Sequence, residues 1–180
     1  MTFDREQWGI VRRSALALVA TGLVMGGAYF WVPGRMFGLH DAMSSGDRLV
    51  FAVKWNLPVL LWLAYCLRAV SSGRFREPAD RKGSAYGEPT PPLAVRIAIL
   101  QNSLEQTVLA IGSSLLLAAV LRGDELVLIP AAVTLYLAGR VTFASSYPRG
   151  AAARAFGMAL TAGPLIVSSI LSAILIIAGR

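Results

Sequence analysis

The chain has one cysteine, one histidine and few charges, and each shortage removes a class of function. Cys66 has no second cysteine in the chain, which excludes an internal disulfide and any cysteine-cluster metal spacing. With His40 as the one imidazole, a histidine-based metal site and a Ser-His-Asp triad both lack their parts. No metal ligand set is expected. Charged residues make up only 15% of the 180 positions, and no soluble basic surface of the kind that holds nucleic acid stands out. The formal net charge of +7 instead suits loop asymmetry or contact with lipid headgroups.

Hydrocarbon is what the chain has in abundance. Hydrophobic residues are 56% of the sequence and the mean hydropathy is +0.60. A small soluble domain could not bury that much apolar surface. A bilayer span needs roughly 20 apolar residues, and hydropathy with Pro/Gly punctuation predicts five, at about 11–32, 48–70, 93–121, 125–146 and 150–178. The first run follows Arg12 and Arg13 and ends in aromatics without a small-residue cleavage pattern, so it reads as a retained span rather than a signal peptide. Pro58 and the Gly163-Pro164 pair are candidate kinks. The residue before a proline is pushed from the helical region, so Tyr147-Pro148 is expected to close the fourth span.

Lys and Arg placement sets an orientation. An internal N-terminus gathers Arg5, Arg12, Arg13, Arg149, Arg154 and the basic loop around Arg74–Lys82 on one face, leaving Arg35, Arg48, Arg122 and Arg180 opposite. The expected location is a bacterial inner membrane with the N-terminus cytoplasmic. Trp8, Tyr29, Trp31, Trp55, Trp62 and Tyr86 read as an interfacial belt. Cys66, in an apolar run, reads as an inert packing residue, and Lys54 as a snorkelling one.

Two polar groupings interrupt the apolar runs. Asn102 and Glu105, flanked by Gln101 and Gln106, lie in mid-span and are three residues apart, close enough to share a helix face. A carboxylate there has to face other helices, a cation or a wet cavity. Arg140, Phe143 and Tyr147 form one stripe of the fourth span, with Arg149 and Arg154 just beyond it. Such a cluster suits a small anion and favours a thiolate over a thiol. An Arg140–Glu105 pair that only fixes helix packing is the structural alternative, with Arg149 and Arg154 then acting as topology signals.

The pattern R-x5-N-x-x-E from Arg96 to Glu105, followed by R-x-x-F-x-x-x-Y-x-R-x4-R from Arg140 to Arg154, resembles the membrane-associated proteins in eicosanoid and glutathione metabolism, the MAPEG family. The resemblance covers about 49–177. It implies an all-α integral membrane protein with a four-helix unit over 48–180, preceded by an additional N-terminal span and outer loop over 1–47. It further implies a homotrimer that holds glutathione as co-substrate between subunits near the cytoplasmic face. The activity implied is that of a transferase or peroxidase/isomerase acting on a small lipophilic electrophile from the bilayer. Asn102, Glu105, Arg140, Tyr147 and, more loosely, Arg149 match ligand-contacting positions, and Arg154 matches the arginine that lowers the thiol pKa. Ala98 stands where arginine is common and Phe143 where tyrosine or histidine is common. An arginine near the family's first helix would come from Arg68, Arg74 or Arg76. The alternative is a non-catalytic protein on this scaffold, its polar cluster serving trimer assembly or anionic-lipid binding.

Overall fold

A computed structural model of the chain describes residues 4–179, so that Arg180, counted above on the outer face, lies outside the described residues. Six helices account for most of these residues: α1 (Arg5–Trp31), α2 (Ser45–Trp55), α3 (Leu57–Arg76), α4 (Pro91–Val120), α5 (Leu128–Ser146) and α6 (Ala151–Ile177). Short 3₁₀ turns link several of them, and no strand occurs among the described residues. With α2 and α3 counted as one stretch, Ser45–Arg76, five helices among the described residues are long and apolar enough to cross a membrane.

Three boundaries differ from the hydropathy reading. α1 starts about two turns early because Asp4 and Gln7 form a reciprocal cap, each side chain accepting from the other's backbone amide. The second span breaks at Asn56. That side chain is buried and donates to the Ala52 carbonyl at 3.0 Å and to Ser114 Oγ at 2.6 Å, while Pro58 restarts the helix in its first turn. α3 then runs on to Arg76 instead of stopping near 70. The polar loop that follows is tied down by buried Asp80, which accepts from the Thr90 amide and hydroxyl at 2.9 and 2.7 Å. Tyr147 keeps helical dihedrals before Pro148, but as part of a 3₁₀ turn; α5 itself has already ended at Ser146.

Close approach between helices rests on small residues. A Cβ at Gly139 would collide with Thr161, and one at Gly157 with the backbone of Phe143, so α5 and α6 cross nearly backbone to backbone. α1 lies parallel to α6 by the same means. Gly9 abuts Ala152, and a Cβ at Gly163 would run into the Thr21 side chain. Ala17, Thr21, Met25 and Ala28 form the buried stripe of α1. Pro164 sits inside α6 without ending the helix. The apolar core has one cluster around Leu117, Leu126 and Ile129 and another around Val59, Val133 and Tyr136. Together these contacts bring the starts of α1 and α6 and the end of α5 to the same end of the bundle.

Candidate functional site

That end of the bundle holds a cleft of about 420 Å³, and its polar lining is Asn102 from α4, Tyr147, Arg154 from α6 and Ser14 from α1. Apolar groups complete it, chiefly Phe143, Met158 and the small side chains Ala98, Ala155 and Ala159. A volume of this order is at the lower end of the range for small-ligand sites.

The turn into α6 positions the cation. Gly150 has φ +95°, where a β-carbon is strained, and so lets the chain reverse after Pro148 and start α6 at Ala151. Arg154 then lies in the first turn, where the helix's own amide dipoles add to its positive potential. Its guanidinium stacks on the Tyr147 ring at 4.4 Å, and Tyr147 meets Phe143 edge-on at 5.4 Å. Neither the Arg154 guanidinium nor the Tyr147 hydroxyl has a hydrogen bond to another described residue, so both keep their donors for a ligand.

Asn102 is set from behind by Arg140. The Arg140 side chain is completely buried, donating from Nη1 to Asn102 Oδ1 at 2.7 Å and from Nε to Thr161 Oγ1 at 2.9 Å. It also lies over the Phe143 ring at 4.6 Å. A guanidinium has donors only, so the asparagine must offer it the carbonyl oxygen and retains its Nδ2 hydrogens for the cleft. Thr161 in turn donates to the Gly157 carbonyl at 2.9 Å, so the close α5–α6 crossing and the orientation of Arg140 are one arrangement.

The structure therefore brings together Asn102, Tyr147 and Arg154 around one cleft, with Arg140 behind its wall. Glu105 and Arg149 lie outside it. Glu105 is exposed on the outer face of α4 and accepts from Gln101 Nε2 at 3.0 Å. The Arg140–Glu105 pair considered as the alternative does not form; the hydrogen bonds of Arg140 go to an amide, a hydroxyl and, more weakly, the Met158 sulfur. Arg149 donates to Ser146 Oγ at 2.7 Å in its own turn. None of Arg68, Arg74 and Arg76 is among the lining residues, and Arg74 reaches Ser84 instead. Ala98 does line the cleft, as a bare wall where a family arginine would project. Sequence reasoning missed Thr161 and Ser14, short hydroxyl residues whose apolar neighbours conceal them. A larger hollow of about 760 Å³ at the opposite end, near Arg35 and Asp124, shares none of this machinery.

Long apolar helices packed as a bundle define a multi-pass integral membrane protein, and its cleft carries a cationic lining. The model of the MAPEG family matches residues 49–174, well over half of the chain, and the chain belongs to that family. Neither the curated proteins nor the solved structures yield a match. The family as a whole is associated with membrane-bound glutathione-related metabolism; α1 lies wholly before the matched region.

Proposed function

We propose that the protein is a glutathione-dependent transferase or peroxidase/isomerase acting on a small lipophilic electrophile, with the cleft at the cytoplasmic face of a bacterial inner membrane. One observation carries the reading: a guanidinium, a phenol and a carboxamide, none with its ligand-side donors spent, converge on a single cleft. Glutathione offers two carboxylates and a thiol, which match those donors. Asn102 and Tyr147 would orient the tripeptide while Arg154 favours ionisation of its thiol. The thiol proton leaves to water at the open face. The thiolate then forms the new S–C bond as the electrophile's leaving group departs with the bonding pair. The apolar side of the cleft, Phe143 and Met158, receives the electrophile.

The homotrimer belongs to the same proposal, and Glu105 supports it. Gln101, Glu105, Leu109, Gly112 and Leu116 repeat at helical spacing along the exposed face of α4. A carboxylate facing lipid near mid-span costs about 2.5–3.5 kcal/mol on insertion scales. Contact with further copies of the chain removes that cost.

Thermal melting of the detergent-purified protein tests the ligand. Glutathione at a hundredfold over its Kd adds about 2.7 kcal/mol of stability, expected as a rise of several degrees in Tm; an unmoved Tm at saturating glutathione overturns the reading. Sedimentation equilibrium of the same sample should give the mass of three chains, and a monomer would remove the role given to Glu105.

A further inference from the structure

The wall that α1 contributes to the cleft is explained by nothing in the matched family region, which begins at residue 49. Ile10, Ser14, Ala17, Thr21, Met25 and Ala28 follow steps of three or four residues, a single continuous stripe along one side of α1. From Ala17 onward that stripe is buried, with Ala17 0% and Thr21 1% exposed. At Ile10 and Ser14 the same stripe faces the cleft instead. The cause lies across the gap. The facing side of α6 carries Ala151, Ala155, Ala159 and Ala162, side chains too short to fill the space that α1 encloses.

The start of α1 is nevertheless held in place. Gly9 abuts Ala152, where an added Cβ would come within 3.2 Å of the alanine Cβ. Arg13 Nη1 donates to the Ala153 carbonyl at 3.3 Å. The helix is held at Gly9 and Arg13, next to Ile10 and Ser14, while those two residues stay only half-buried along the cleft. Packing alone gives no reason for that combination, since a larger residue at either position would close the gap with ordinary hydrocarbon contact.

From this we infer that α1 is a wall of the ligand site, and that Ile10 and Ser14 determine the size and polarity of the anion-headed ligand the cleft admits. Arg154 and Asn102 grip the head of the ligand. Its body lies between Ile10 and the α6 alanines, and Ser14 supplies a hydroxyl near the polar end. The inference deepens the reading given under Proposed function and uses the same cleft. It adds that this chain closes one side of the cleft with its own helix rather than leaving it open to lipid or to a neighbouring subunit.

Cysteine labelling of the full-length protein in membrane vesicles tests it. Cys66, buried against Ser103, is first replaced by Cys66→Ser. Ser14→Cys is then compared with Ala15→Cys, which sits at the same depth on the exposed side of α1. A small anionic thiosulfonate is expected to modify the Ser14→Cys protein at least tenfold faster than the Ala15→Cys protein, and faster than a cationic reagent of equal size does. Adding Arg154→Ala should erase the charge preference, and adding Ile10→Trp should slow labelling at least tenfold without lowering Tm. Equal rates at the two positions, or labelling indifferent to Ile10→Trp, overturn the inference. Glutathione that slows the labelling supports the wall together with the thiol reading. Fast, anion-selective labelling that glutathione leaves untouched supports the wall and defeats the thiol reading alone.

Discussion

Replacing Arg154 by alanine should slow glutathione conjugation about 10²–10³-fold at pH 7, the range seen when one preorganised electrostatic group is removed from a reaction centre. The loss should shrink as pH rises. An ordinary thiol ionises near about 8.5, and an opposite charge within a few ångströms lowers that by about one to three units. On the proposed reading, the bound thiol with Arg154 present should therefore ionise between about pH 5.5 and 7.5. Without it the thiolate fraction recovers only toward pH 9, so the ratio of variant to parent rates should climb with pH and then level off. Arg154→Lys keeps the charge but loses the planar stack on Tyr147, and an intermediate rate is expected. A chromogenic aryl halide and stopped-flow absorbance at several pH values give the measurement. A pH-independent deficit would mean that Arg154 holds the tripeptide rather than its thiolate.

The contrast between Asn102 and Glu105 shows what a sequence can and cannot resolve here. Three residues at ~100° each leave two side chains roughly 60° apart, close enough to count as one face when read from spacing. The bundle's edge falls in that gap, so Asn102 turns inward to Arg140 and Glu105 turns outward to Gln101. Only the neighbouring helices decide where such an edge lies. The spans themselves were legible because the cost of exposing backbone and charge to lipid acts on composition directly. The start of α1 and the break at Asn56 were less so, since they depend on a cap and on one long-range hydrogen bond to Ser114. The Arg140–Phe143–Tyr147 stripe was readable from its helical spacing, and the structure aligns it and stacks Arg154, from the next helix, at the end of the same ladder of rings and guanidiniums. The packing of α1 on α6 was invisible for the opposite reason. Gly9, Ala17, Thr21 and Gly163 fit by shape, and small residues carry no distinguishing chemistry.

Stability and function should separate most sharply at Arg140. Its guanidinium is fully buried and its hydrogen bonds run to neutral groups, so the fold bears a desolvation cost of several kcal/mol that amide and hydroxyl partners offset only in part. Arg140→Met keeps a long flexible side chain in the same space and removes the charge. Thr161 still donates to the Gly157 carbonyl, which leaves no orphaned group on α6. The melting temperature is therefore expected to hold or rise. Binding should fall nonetheless. Asn102 loses the charged donor that fixes its carboxamide, an interaction worth about 1.5–3 kcal/mol, and glutathione affinity should weaken about tenfold to a hundredfold. Because Arg140 acts through Asn102, the two changes must not add. The Arg140→Met/Asn102→Ala double variant should bind glutathione no more weakly than Asn102→Ala alone, a coupling that a purely structural arginine would not produce. Titration of the four proteins by calorimetry, with melting curves beside them, decides the matter. Unchanged affinity with a lowered Tm would assign Arg140 to packing, and the carboxamide orientation would then need another cause.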